Sequence, residues 1–149
     1  MDARIEKLST PAECEMFMKN ARERGREDLA QEARRRFIEL RAKAYGANST
    51  VEQQCLEAVY AYEEVMSAKN GRRTHASRTW QMIKRLGVLK AVDRVVSRAE
   101  DAAGYTALIE MGLEKFAFEA VVVRHPEEFS FEAVEQSKKR VARWKSGGS

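Results

Sequence analysis

Apolar residues near the start of the chain recur at helical spacing behind a clear helix-start signal. Thr10 can cap a helix whose first residue is Pro11, and Glu13 completes a capping box. The apolar positions that follow repeat at i, i+3, i+4 and i+7, which predicts an amphipathic helix that Gly25 can end. These positions are Cys14, Phe17, Met18 and Ala21.

Two more amphipathic helices are predicted before residue 69. One runs from about Glu27 to Ala44, and the other starts behind the capping pair Ser49 and Glu52 and continues toward Ala68. Short connections between three such helices favour an antiparallel bundle. The predicted inner positions are Leu29, Ala33, Phe37 and Leu40 in the first, and Val51, Cys55, Val59, Tyr62 and Met66 in the second.

The middle of the chain contains a pair of short helices with sharply divided faces. Asn70-Gly71 predicts a turn in an exposed basic loop, after which Ala76 to Leu86 and Val88 to Ser97 resume helical periodicity around Gly87. At 100° per residue, one side of the 76–86 helix is apolar and the other is polar. The apolar side holds Ala76, Thr79, Trp80, Met82, Ile83 and Leu86, and the polar side holds Ser77, Arg78, Gln81, Lys84 and Arg85.

This pair resembles a helix-turn-helix over some twenty residues. Gly87 would lie in the turn, with apolar residues around it. The motif usually has a small residue four positions before the glycine and an aliphatic residue six positions after it, where this chain has Ile83 and Asp93. If the second helix does not read DNA, the 76–86 helix is the reading element.

The last third of the chain predicts further helices. Residues 100–104 are polar and predict a loop, and Tyr105 to Met111 predicts a short helix that stops at Gly112. Leu113 to Arg124 is rich in β-forming residues, but no second strand exists to pair with it, so we expect a buried helix. His125-Pro126 breaks the chain before a final helix, capped by Ser130, from Phe131 to about Lys145.

The sequence therefore predicts an all-α, single-domain bundle of about six to seven amphipathic helices, with the basic helix-turn-helix-like pair near the middle. The domain would cover residues 1–145, comprising a three-helix N-terminal part at 10–68, the basic loop and helix pair at 69–98, and C-terminal helices at 99–145. Residues 146–149 are expected to form a flexible tail or linker.

Composition indicates a soluble protein, with 44% hydrophobic and 34% charged residues. No apolar run approaches the roughly 18 residues needed to cross a bilayer, and the N-terminus lacks the apolar centre of a secretory signal. We therefore expect a cytoplasmic protein with no membrane partner. Cys14 and Cys55 both fall on apolar helix faces, which predicts buried, reduced thiols.

Positive charge is concentrated between Lys69 and Arg98. This segment has nine Lys or Arg residues against one acid, Asp93, for a local net charge of +8 in a chain of net charge +4. A solvated helix face usually mixes charges of both signs, so an acid-free face favours a polyanionic partner, most simply nucleic acid. The predicted nucleic-acid-binding residues are Lys69, Asn70, Arg72, Arg73, His75, Ser77, Arg78, Gln81, Lys84, Arg85, Lys90 and Arg94.

Catalytic signals are weak. His75 and His125 are the only histidines, and neither has metal-ligand spacing with another His, a Cys or an acid. The pairs Glu63-Glu64 and Glu127-Glu128 could in principle ligate a metal, but adjacent acids on a helix point about 100° apart. We expect no catalytic residues, no metal and no cofactor.

Two functions remain open from the sequence. The first is a nucleic-acid-binding helical module, most simply for double-stranded DNA, acting as a regulator or as the targeting domain of a larger DNA-processing protein. If it is such a targeting domain, a fused or partner domain would lie beyond the C-terminus. The alternative is a protein-interaction bundle whose basic face docks an acidic partner. The choice between DNA and RNA and the oligomeric state stay open.

Overall fold

The computed structural model describes residues 2–98 and 105–146, and every regular element in these two ranges is helical. The all-α prediction is therefore confirmed for the described residues. The predicted loop at 100–104 and tail positions 147–149 lie outside them. No helix within the two ranges is both long and apolar enough to span a membrane. The α-helices are α1 (Ala3–Glu6), α2 (Pro11–Glu23), α3 (Glu27–Tyr45), α4 (Thr50–Asn70), α5 (Ser77–Leu86), α6 (Val88–Ser97), α7 (Tyr105–Glu110), α8 (Phe118–Arg124) and α9 (Phe131–Lys145).

Capping side chains set the starts of three of the predicted helices. The hydroxyl of Thr10 accepts from the backbone N–H of Glu13 at 3.1 Å, while the Glu13 carboxylate accepts from the backbone N–H of Thr10 at 3.0 Å. Ser49 and Ser130 accept in the same way from residues three positions further on, at 3.1 Å each. These contacts satisfy N–H groups that have no partner inside the helix, so the predicted helix starts are confirmed.

Contacts divide the chain into two compact units, Met1–Ala47 and Asn48–Ser149. In the first unit, α2 packs along α3, and the short helix α1 adds the fully buried Ile5 to a cluster with Ala21, Leu29 and Ala30. Helix α1 was not predicted, because one turn with a single large apolar residue shows no periodicity. The prediction of one domain over residues 1–145 stays a prediction.

The second unit is built around α4. One apolar cluster joins α4 to α6, α8 and α9, and a second joins α4 to α5 and α6 through Val59, Ile83 and Ala91. Ten residues of α4 are buried, which is typical of a central helix rather than one with a single apolar stripe. The prediction that Tyr62 belongs to an inner stripe is wrong: its side chain is 40% exposed, and its ring lies against Phe118.

The predicted continuous helix from Leu113 to Arg124 is also wrong. A 3₁₀ turn spans Glu114–Phe116, and α8 begins only after Ala117, whose backbone is extended at φ −57° and ψ 142°. The break at Ala117 changes the direction of the chain, so Phe116 is buried before the break and Val121 and Val122 are buried after it. A straight helix with so many consecutive apolar residues would leave part of them in water.

Cys14 and Cys55 are both buried and form no disulfide, as predicted. Burial raises the pKa of the Cys14 thiol to about 11 and that of Cys55 to about 12. Because only the thiolate is a good nucleophile, both should react with a thiol reagent at pH 8 at least about 100-fold more slowly than a free thiol. Stopped-flow labelling before and after unfolding in guanidinium tests this, and rapid labelling of the native protein would contradict it.

Candidate nucleic-acid interface

Two neighbouring glutamates on α4, Glu63 and Glu64, hold the basic segment in place. Their side chains are only 1% and 3% exposed. A carboxylate removed from water needs hydrogen-bond donors around it, because an unpaired charge in the interior is very costly. Here the donors belong to residues 73–80, so the two acids connect α4 to the basic loop and to the first turn of α5.

Glu63 orients α5. Its Oε2 atom accepts from the backbone N–H of Ala76 at 2.8 Å and from the indole N–H of Trp80 at 2.6 Å. Nδ1 of His75 lies 3.7 Å from the same oxygen, so a protonated imidazole would form an ion pair there. The Trp80 ring packs on Tyr60 with centroids 5.0 Å apart. Trp80 therefore faces the protein interior, as its position on the apolar side of the helix predicts.

Glu64 fixes the loop before α5. It forms an ion pair with Arg73, whose side chain is 37% exposed. Ser67 accepts from the backbone N–H of Thr74 at 2.9 Å, and the side-chain amide of Asn70 donates to the Thr74 hydroxyl at 3.1 Å. The loop is exposed as predicted, but it is tied to α4 at several points. The charge of Arg73 is largely balanced within the protein.

The two faces of α5 lie as predicted. Met82 and Ile83 are buried, and Trp80 and Leu86 are partly buried against the same cluster. At 100° per residue, the exposed side chains occupy a sector of about 120° around the helix. Those side chains are Ser77, Arg78, Gln81, Lys84 and Arg85.

Gly87 is the single residue between α5 and α6, and its φ of 91° lies in the region that favours glycine. On α6, Lys90 and Arg94 are exposed four residues apart and so share one face. Asp93, the only acid between Lys69 and Arg98, is partly buried and accepts from the backbone N–H of Ser130 at 2.7 Å and from its hydroxyl at 2.9 Å. Asp93 therefore supports the start of α9.

All twelve predicted binding residues are exposed, but three of their side chains have partners within the protein and nine do not within the described residues. The side chain of Asn70 contacts Thr74, that of Arg73 contacts Glu64, and that of His75 contacts Glu63. The other nine side chains make no hydrogen bond or ion pair within residues 2–98 and 105–146: they are Lys69, Arg72, Ser77, Arg78, Gln81, Lys84, Arg85, Lys90 and Arg94.

The described residues contain no group of three His, Cys, Asp or Glu side chains placed to hold a metal ion. Nε2 of His125 lies 2.9 Å from the side-chain oxygen of Gln54, which also accepts from the guanidinium of Arg124 at 3.1–3.2 Å. Partial burial lowers the pKa of Arg124 from its usual value. The contacts of His125 therefore connect α4 to the end of α8. The expectation of no catalytic activity stays a prediction.

Sequence reasoning missed the structural roles of Glu63 and Glu64. It treated them only as metal ligands that could not converge, yet both point toward residues that follow α4. A signal was present: Glu63 lies four residues after the core position Val59, so helical spacing places it on the same side. An acid at such a position indicates a nearby donor, and the segment after the turn at Gly71 supplies several large donor side chains, Arg73 and Trp80 among them.

The exposed cations and the two buried acids define the site by geometry alone. Comparisons with models of protein families, with curated proteins and with solved structures yielded no significant match. The function of this chain must therefore be inferred from the side chains that it exposes.

Proposed function

We propose that this protein is a nucleic-acid-binding helical module that binds duplex DNA through the surface formed by the 69–73 loop, α5 and α6. As a regulator or as the targeting part of a larger DNA-processing protein, it would supply binding rather than chemistry. The supporting observation is a set of exposed cations that no acid within the described residues neutralises, at Lys69, Arg72, Arg78, Lys84, Arg85, Lys90 and Arg94. Phosphates would neutralise these charges and release condensed counterions.

Helix α5 is the element we assign to the DNA groove. An α-helix fits the major groove, where Arg pairs with guanine edges and Gln with adenine edges. Its exposed sector presents Arg78, Gln81 and Arg85, and no acid lies in its first turn. Lys84 and Ser77 border these residues and would contact the backbone.

Helix α6 is assigned a supporting role. Its pairing with α5 resembles a helix-turn-helix, but that motif usually has a turn of three or four residues, whereas Gly87 alone separates these two helices. Asp93 also faces the start of α9 and would repel phosphate. Lys90 and Arg94 would therefore contact the phosphate backbone, while α5 reads the bases.

A salt titration tests the proposal. Binding of fluorescently labelled 20-base-pair random duplex, single strand and RNA is measured by anisotropy at several salt concentrations. Duplex binding with a log-log slope of about −0.9 per phosphate contact is the expected result, with Lys84→Gln/Lys90→Gln reducing the slope by about 1.8. Lys19→Gln/Lys43→Gln makes the same charge change at exposed positions of the first unit and should leave the slope unchanged.

Two outcomes would contradict the proposal. If no nucleic acid binds even at low salt, the module does not recognise DNA, and the basic face would then belong to an acidic protein partner. If both double variants reduce the slope equally, the binding depends on total charge and not on the surface formed by α5 and α6. A thermal melt of each variant confirms that the fold is retained.

A further inference from the structure

Three of the five exposed side chains of α5 form a row along the helix, which we call the reading row. At about 100° per residue, Arg78, Gln81 and Arg85 lie within about 60° of one another, and the two arginines differ by only about 20°. Ser77 and Lys84 lie further around the helix, about 100° and 120° from Arg78. The reading row would therefore face the bases together, with Ser77 and Lys84 at its border.

The side chains of the reading row are available to a ligand. All three are exposed, and none makes a hydrogen bond or an ion pair with another residue in the two described ranges. The helix that carries them is held from its other side, where Oε2 of Glu63 accepts from the backbone N–H of Ala76 and from the indole N–H of Trp80. The row is thus presented by a helix whose orientation is fixed by buried contacts.

The spacing of the reading row fits successive base pairs. In zinc fingers, which also place a helix in the major groove, side chains about three residues apart contact successive bases, principally on one strand. Members of the reading row are spaced by three and four residues, so they can reach three successive bases in the same way. Each side-chain type has a preferred edge: arginine pairs with O6 and N7 of guanine, and glutamine with N6 and N7 of adenine.

We propose that α5 recognises the base triplet guanine-adenine-guanine, with Arg78 and Arg85 on the outer guanines and Gln81 on the central adenine. The order is the same for either direction of α5 along the groove, because an arginine lies on each side of the glutamine. Helix α5 has no acid to accept from N4 of cytosine, so the strand that it reads is a purine strand. This inference rests on the proposed function and names the DNA sequence that the same surface prefers.

Exposed arginines also have a simpler role, because they can bind phosphates without reading any base. In that role, affinity would depend on salt but not on the identity of the three base pairs. A change of sequence preference separates the two roles, since phosphate contacts carry no sequence information. The decisive variant is therefore Gln81→Arg, which places arginine at all three positions and should change the preferred triplet from GAG to GGG.

Binding is measured by fluorescence anisotropy with 20-base-pair duplexes whose mixed A·T flanks surround GAG, GGG or AAA. The parent should bind GAG about 5- to 150-fold more tightly than GGG, and AAA should bind more weakly still. Gln81→Arg should reverse the order of GAG and GGG by a similar factor. Asn20→Arg adds the same charge at an exposed position of the first unit and should keep the preference of the parent.

Each result has a defined consequence. If the parent binds the three duplexes equally while Lys84→Gln/Lys90→Gln reduces the salt slope, this inference is wrong and the proposed function stands. A GAG preference that Gln81→Arg leaves unchanged would assign the adenine contact to another residue and would also overturn the inference. If the parent binds no duplex, both fall. Should Gln81→Arg lower the melting temperature, Gln81→Ala is used, and loss of discrimination between GAG and GGG is the expected result.

Discussion

Arg140→Ala is expected to lower the free energy of unfolding by about 3–5 kcal/mol, because it removes the guanidinium that pairs with a buried carboxylate. Glu119 is 4% exposed and forms an ion pair with Arg140 at 3.1 Å. The same substitution removes the donors to the carbonyls of Val96 and Arg98 at the end of α6. Urea unfolding followed by circular dichroism measures the loss.

Two controls separate the buried pair from a general effect on α9. Lys139→Ala removes an exposed neighbouring cation and should change stability by less than about 0.5 kcal/mol. Glu119→Leu/Arg140→Met replaces both charges with apolar groups of similar size and should recover most of the loss, since a buried pair rarely outperforms a well-packed apolar pair. A loss below about 1 kcal/mol for Arg140→Ala would mean that the pair is hydrated in solution.

Glu63→Ala is expected to cost about 2–5 kcal/mol, because it leaves one buried and one partly buried donor without their acceptor. These donors are the backbone N–H of Ala76 and the indole N–H of Trp80, which both end on one carboxylate oxygen. Their release should also loosen the first turn of α5. The free energy of unfolding gives the cost, and faster hydrogen exchange at α5 amides would show the local opening.

A double-mutant cycle isolates the contact to the indole. Trp80→Phe keeps a ring but removes the N–H, so Glu63→Ala should cost less in that background, with a coupling of about 1–2 kcal/mol. Glu63→Gln keeps an accepting oxygen in place and should lose less than alanine. Additive effects in the cycle would show that the hydrogen bond between Glu63 and Trp80 contributes nothing to stability.

Much of the helical structure could be predicted because its determinants are local. Thr10, Ser49 and Ser130 cap helices through contacts three residues away, and the two faces of α5 follow from periodicity alone. The break at Ala117 could not be predicted, since a run of apolar residues does not indicate where the chain must turn to bury all of them.

The exposed residues of the candidate site could be predicted from the sequence, but the buried contacts beneath them could not. Positive charge between Lys69 and Arg98 is visible in the sequence, and the structure places all twelve predicted residues at the surface. The interior contacts depend on tertiary structure: Glu64 and Arg73 are nine residues apart, and Arg140 reaches a carbonyl 44 residues earlier. Pattern analysis cannot assign such pairs, because nothing local requires the two groups to meet.

The contacts with Glu63 that hold α5 in place do not involve the side chains that this helix exposes. Glu63 holds α5 by Ala76 and Trp80, and neither belongs to the five exposed positions of the helix. Those five positions could therefore be randomised in a combinatorial library while the scaffold stays intact. Under the proposed function, selection from such a library against chosen DNA sequences would give α5 variants with different sequence preferences on the same helical scaffold.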